Sequence, residues 1–188
     1  MQLQLEQHLS AVDSMRRQFP LLERIADHLV QSFRQGGRVY LCGNGGSAAD
    51  AQHIAAELVG RYRTDRRALP AISLTTDSSI LTAVSNDLGA DVCFSRQVEA
   101  LMTPRDTLWA LSTSGQSPNV LRAAEAARKI DATVIGFTGR SGGDLKGLCH
   151  FCLQVEHDRT DRIQEVHQLA YHLVCERVEA AFVATSGK

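Results

Sequence analysis

From its N-terminus the chain carries apolar residues at helical spacing, beginning with Leu3, Leu5, Leu9 and Val12 and running on to Phe33. The pattern predicts two helices over residues 3–33, separated near Pro20. Apolar runs of strand length then alternate with helical segments. RVYLCG over residues 38–43 predicts a strand, and residues 47–59 return to helical spacing after a glycine-rich loop. PAISLTT, TLWALST, ATVIGFTG and HFCLQV predict four more strands. SSILTAVSN and VLRAAEAARKI predict intervening helices, and residues 161–183 a long terminal one. Continuous apolar strands separated by helices imply a mainly parallel sheet covered on both faces. The expected α/β fold is a three-layer α/β/α sandwich on five strands with an N-terminal helical extension. Residues 1–35 form that extension and residues 36–188 the sheet core, within one unit of 1–188. Ligands of such sheets sit beyond the carboxyl ends of the strands. The sequence puts its Gly/Ser loops there.

Composition narrows the functional classes. Hydrophobic residues make up 44% and charged residues 22%, near the average for a folded globular chain. No apolar run approaches the ~20 residues of a membrane-crossing helix. The first residues lack a signal peptide's basic start and cleavage site, so a cytoplasmic protein without membrane partners is expected. Lys plus Arg number 20 against 21 Asp plus Glu, whereas nucleic-acid binders carry a basic excess or stripe. The one basic cluster, Arg61, Arg63, Arg66 and Arg67, suits small anions or subunit contacts equally well. Five cysteines at irregular spacing fit a reducing compartment. Cys149 and Cys152 form a CHFC element. Without a second pair this is a weak zinc signal, and the favoured reading is small apolar cysteines beside or within a buried strand.

Two loops carry candidate chemistry. CGNGGSAAD follows the first strand and STSGQS the third. Glycines let a ligand approach the backbone, and free N–H groups at a helix start attract an anion. Either loop alone is equally well an ordinary turn, with Ser117 as a helix cap; two at successive strand ends favour phosphate. Nucleotide binding is disfavoured. Ala48 stands where GxGxxG has its last glycine, and no GxxxxGK[ST] element exists.

HIAAE places His53 and Glu57 four apart on one helix face, a spacing for two metal ligands or a carboxylate beside an imidazole. Gln164 and His172, eight apart, are separated by ~80° around the last helix and can face one cleft, while His167 lies ~140° from His172. A His, Glu, Gln, His set from two helices could hold Zn²⁺ tetrahedrally; each pair alone is more often a surface or capping feature.

With these motifs the chain resembles the SIS (sugar isomerase) family, and within it the phosphoheptose isomerases. CGNGGSAADAQHIAAELVGRYR, SNDLG, FSRQVEAL, LSTSGQSPNV, TGRSGGDLKG and DRIQEVHQLAYH carry the match. The resemblance implies conversion of a seven-carbon ketose phosphate to an aldose phosphate. It implies Glu57 as base, His172 as acid, and one Zn²⁺ per subunit at His53, Glu57, Gln164 and His172. It further implies phosphate binding by Ser112, Thr113, Ser114 and Ser117. Asn44, Ser47, Asp87 and Asp161 match positions that touch the sugar, and Gly45, Gly46, Asn86 and Gln164 complete the substrate set. A homotetramer with active sites shared between subunits is expected, its product feeding synthesis of lipopolysaccharide or a related glycan. The main rival is a non-catalytic adaptor that binds the replication initiator DnaA; Glu57 and His172, absent from that relative, favour the enzyme. A phosphosugar-sensing regulator would need an attached domain for which the length leaves no room. An isomerase of a shorter sugar phosphate is the third alternative.

Overall fold

The computed structural model describes residues 1–183; residues 184–188 of the expected 1–188 unit lie outside the described residues. The chain opens with α1 (Gln2–Ser14), a 3-10 turn at Met15–Gln18 and α2 (Phe19–Arg34). The break therefore precedes Pro20, which sits in the first turn of α2, where its missing N–H costs no helical hydrogen bond. Next come β1 (Val39–Gly43), α3 (Gly46–Val59), β2 (Ala71–Ser73), α4 (Ser78–Asp87) and α5 (Ser95–Leu101). The chain continues through β3 (Thr107–Ser112), α6 (Pro118–Lys129), β4 (Thr133–Gly139) and α7 (Leu145–Leu148). It ends in β5 (Phe151–Val155) and α8 (Thr160–Ala180).

The five strands lie in the order β2-β1-β3-β4-β5, and every pairing is parallel. The sheet expected to be mainly parallel is entirely so. Its side chains alternate between two cores. Val39, Leu41, Trp109, Leu111, Ile135 and Phe137 join α2, α3 and α8 on one face. Tyr40, Cys42, Leu108, Ala110 and Val134 meet α5, α6 and α7 on the other. This is the three-layer arrangement, and it explains why β1 and β3 are apolar without interruption: each is buried at every position.

The N-terminal leucines do not pack on the sheet. Leu3, Leu5 and Leu9 are 62%, 59% and 57% exposed; α1 joins the core through Ala11 and Val12 instead. Polar contacts run alongside, His8 Nδ1 lying 2.7 Å from Glu165 of α8 and Arg159, just before α8, donating to Gln7 at 3.0 Å. Helix α4 buries no residue at all. Among the described residues no helix is long and apolar enough to cross a membrane.

Candidate active site

At the carboxyl ends of β1 and β3 the two expected loops meet in a cleft of about 290 Å³. Asn44, Gly45, Gly46, Ser47, Ser112, Thr113, Ser117 and Gln164 line it together with Leu111 and Thr160. Ser112 Oγ stands 3.0 Å from Ser117 Oγ and 3.5 Å from Ser114 Oγ, while Ser114 Oγ also accepts from Gln116 N. Ser117 is the N-cap of α6, yet its side chain makes no capping bond; its hydroxyl belongs to the serine cluster. A run of hydroxyls at a helix start, beside a backbone that exposes N–H groups, suits a phosphate monoester.

The TGRSGGD segment props this loop from behind. Gly115 adopts φ +65°, and a Cβ there would come within 2.1 Å of the Gly142 carbonyl oxygen, so only glycine fits. Leu145 N donates to Gly115 O at 3.1 Å. From the other side, Asn44 and Asn119 exchange two amide hydrogen bonds of 2.9 Å, tying the first loop to the start of α6. The amide of Gln164 packs directly over Gly46.

Farther along α3 and α8, His53, Glu57 and His172 converge, with one potential ligand atom from each lying within 4.8 Å of the others. His53 Nε2 is 3.0 Å from Glu57 Oε1, and the His53 and His172 rings meet edge to face at 5.0 Å. Tyr171 supplies the frame: its hydroxyl is 2.9 Å from His53 Nδ1 and donates to Asp50 Oδ1 at 3.3 Å. With that proton committed to Asp50, the Tyr171 oxygen accepts from Nδ1–H. His53 Nε2 and the Glu57 carboxylate then face each other as two acceptors, an arrangement a cation completes, whether proton or metal. A metal-bound histidine held through its other nitrogen is the usual way such a ligand is oriented. Two imidazoles and a carboxylate are also a zinc-type donor set. Burial, then the neighbouring His53, pushes the His172 imidazole below its ordinary pKa, against the opposing pull of Glu57.

The carboxyl end of α3, which carries Glu57, is capped from within. Arg66, its side chain 1% exposed, donates to the carbonyl oxygens of Glu57 at 2.7 Å and Gly60 at 2.9 Å. Glu179 lies beneath, accepting from the backbone N–H of Tyr62, Arg63 and Thr64 at 2.7–2.8 Å. Arg66 is therefore committed to holding the fold, and of the arginine cluster expected at a ligand or interface it is withdrawn from the surface.

Other expected positions lie outside this cleft lining. Asn86 and Asp87 sit exposed at the end of α4, bonded to each other at 2.7 Å. Asp161 is exposed at the start of α8 and paired with Arg159 at 2.7 Å. His167 is fully buried against Thr138 O at 3.1 Å, and its pKa is pushed down to about 4 by desolvation. It takes no part in the cluster.

A family model for the SIS domain matches residues 5–139. The chain is similar to the phosphoheptose isomerase of Roseiflexus sp. (strain RS-1), 53% identical over 174 residues, 90% of this chain and 88% of that one. It superposes on the phosphoheptose isomerase GmhA from Neisseria gonorrhoeae with a TM-score of 0.89 at 40% identity, covering 95% of this chain and 96% of that one. For a phosphoheptose isomerase from Francisella tularensis the TM-score is 0.92 at 35% identity, with the same two coverages.

Proposed function

The chain belongs to the SIS domain family, and from that premise we propose how it works as a phosphoheptose isomerase, converting sedoheptulose 7-phosphate to D-glycero-D-manno-heptose 7-phosphate. The observation that carries this reading is the pairing of a hydroxyl-lined cleft with the cluster of His53, Glu57 and His172 on the same two helices. Ser47 and His53 are separated by about 9 Å of helix axis along α3, and Gln164 and His172 by about 12 Å along α8. An extended seven-carbon sugar phosphate spans about 10 Å from phosphorus to C1, at roughly 1.2 Å per bond. A phosphate held in the cleft that Ser47 and Gln164 share with the serine loop would leave the C1–C2 end to extend along α3 and α8 toward the cluster. The non-catalytic adaptor reading draws no support from the relatives named above.

In this proposal the N–H groups at the start of α6 and the hydroxyls of Ser112, Thr113, Ser114 and Ser117 bind the phosphate. Asn44, Gly45, Gly46, Ser47, Asn86, Asp87, Asp161 and Gln164 form the set that meets the sugar. Glu57 removes the proton from C1; the C1–H electrons form the C1=C2 bond of an enediol, and the C2 carbonyl oxygen takes up a proton. Glu57 then returns its proton to C2, the C1=C2 electrons forming the new C–H bond. The O1–H bond breaks, its electrons forming the C1 carbonyl and its proton passing to His172 in place of the one given to O2. A neutral His172, the form its lowered pKa favours, has one donor and one acceptor nitrogen and can move a proton between O1 and O2. His53, Glu57 and His172 would hold one Zn²⁺ per subunit, with Gln164 as the fourth proposed ligand once its amide turns from Gly46 toward the cluster; when bound, the metal would polarise the carbonyl as a Lewis acid.

Two smaller effects test the parts. Ser114→Ala is expected to raise KM about tenfold, the loss of roughly 1.4 kcal/mol of binding, with kcat little changed. A fall in kcat alone would remove Ser114 from the phosphate site. Tyr171→Phe is expected to weaken Zn²⁺ binding about 10–100-fold, read by competition with a coloured chelator in the absence of substrate. Unaltered affinity would mean Tyr171 does not orient His53.

We also read the chain as one SIS unit working in the cytoplasm as a homotetramer with shared active sites. The exposed Leu3, Leu5 and Leu9 and the uncovered α4, which bears Asn86 and Asp87, support that reading. Its product would feed heptose synthesis for lipopolysaccharide or a related glycan. The test of the function is NMR observation of the aldose phosphate formed from sedoheptulose 7-phosphate, with added zinc and with chelator. No product under either condition from folded protein would overturn it.

A further inference from the structure

Three of the five cysteines, Cys42, Cys93 and Cys175, are buried, and desolvation pushes each of their thiols above the ordinary range. Cys149 and Cys152 differ. Both are half-buried, at the sheet edge where α7 runs into β5. Cys152 is in register with Gly136 of β4, and Cys149 Sγ lies over the same Gly136, so close that a Cβ there would fall 2.3 Å from it. Glycine at 136 thereby opens one recess that receives both sulfurs on one face of the sheet. We propose that Cys149 and Cys152 are a thiol–disulfide site, closed by peroxide and reopened by dithiols, that acts on the serine loop through Leu145.

The surroundings fit reactive rather than inert thiols. The Thr138 hydroxyl stands 3.7 Å from the Cys152 sulfur, and the positive charges of Lys146 and Arg128 favour thiolate at Cys152 and Cys149 respectively. The neighbouring Cys149 thiol lowers the Cys152 pKa against the opposing effect of burial, and Cys149 is raised in turn. A partly exposed, lowered thiolate with a second thiol at CxxC spacing is the usual setting of redox-active cysteines.

The reaction balances with hydrogen peroxide as oxidant. The Cys152 thiolate attacks one peroxide oxygen: an S–O bond forms, the O–O bond breaks, and hydroxide leaves, taking up a proton to become water. Cys149 sulfur then attacks the Cys152 sulfenic acid; the S–S bond forms, the S–O bond breaks, and a second water departs with the Cys149 proton. The two thiols lose two electrons and the peroxide gains them. A dithiol reductant reverses the change by exchange and is itself left as a disulfide.

Closure reaches the phosphate site by a short route. In the reduced protein the Cys149 thiol donates to Leu145 O at 3.1 Å, and Leu145 N donates to Gly115 O in the serine loop at 3.1 Å. The disulfide has no S–H, so Leu145 O loses its donor and the residue bracing Gly115 is less firmly held.

The experiment treats reduced wild-type protein with a small excess of hydrogen peroxide, blocks free thiols by alkylation and maps tryptic peptides. The peptide covering residues 147–159 contains both cysteines. It is expected to lose both alkylation sites and the mass of two hydrogens, with both sites restored by dithiothreitol, while the other three cysteines remain reduced. In Cys149→Ser, Cys152 is expected to stop at the sulfenic acid and be trapped by dimedone. Full alkylation of both cysteines after peroxide, or direct passage of Cys152 to sulfinic acid in the wild type, overturns the site. Oxidised enzyme is expected to show KM for sedoheptulose 7-phosphate raised at least threefold at nearly constant kcat, with no change in Cys152→Ser. A disulfide that leaves KM unaltered overturns the link to the serine loop. This kinetic arm rests on the isomerase reading, whereas the mass measurement does not, so the two can fail separately.

Discussion

Glu57→Gln is expected to lower kcat by about 10³-fold or more, at the upper part of what a positioned general base contributes, while phosphosugar binding stays within about threefold of wild type. Glutamine keeps the length and the polar contact at 3.0 Å from His53, so the fold of α3 and the phosphate cleft remain. What disappears is the basic oxygen that takes the C1 proton. The measurement is kcat by NMR, paired with calorimetric binding of the substrate to the variant. Turnover within tenfold of wild type would remove Glu57 from the base role. Loss of binding together with turnover would mean that the residue holds the site together rather than carrying the proton.

The second large effect is on stability. Glu179→Ala is expected to destabilise the protein by about 3–5 kcal/mol, the usual cost of removing one partner of a buried charged pair, equivalent to a Tm lower by roughly 10 °C. The substitution leaves three backbone N–H donors at residues 62–64 and the buried Arg66 guanidinium without their carboxylate. Burial raises the Glu179 carboxyl, but the three N–H donors, from Thr64, Arg63 and Tyr62, together with Arg66, outweigh it and hold the pKa below the ordinary glutamate value. A lowered folded-state pKa stabilises above the unfolded value, and that stability is lost as pH falls through the folded one. The gap between wild type and variant in urea unfolding should therefore be full at neutral pH and narrow in acid, below the ordinary glutamate range. A deficit under 1 kcal/mol at neutral pH would mean that water replaces the carboxylate.

Much of this architecture is legible in the sequence because burial on both faces leaves a plain mark. The strands VYLCG and TLWALS are apolar throughout, and the Gly/Ser loops follow them directly. Edge elements are less legible. β2 is only three residues long and exposes Ile72, so the expected seven-residue strand is shortened. Helix α5 leaves no apolar periodicity because two of its three buried residues are Ser95 and Gln97, the latter bonded to Leu74 O and Cys93 O. The start of α6 moves from Val120 back to Pro118, which a first helical turn accepts.

At the site, the Gly/Ser loops and the i, i+4 spacing of His53 and Glu57 were readable because their partners are near in sequence. Tyr171, Asn119 and Glu179 were not. Each acts on a residue between 75 and 118 positions away, and no local spacing encodes such a contact. Tyr171 passes for an apolar core residue, and Glu179 for a solvated helix charge, until the packing of α8 against residues 50–64 is known.

The parallel sheet also sets an order of events during folding. At its centre β1 pairs with β3 through Val39 and Thr107, so the middle of the sheet closes a loop of more than sixty residues that contains α3, β2, α4 and α5. The β3–β4 and β4–β5 pairings join segments far closer along the chain. Chain-closure entropy is lower for these shorter loops, and non-local contacts slow folding. During synthesis β1 is the first strand to leave the ribosome; β2 can pair with one of its edges, but the edge that takes β3 and the glycine-rich loop beside it stay open until β3 follows. The half of the phosphate cleft encoded earliest is thus completed only when the strand carrying the other half has taken its place beside it.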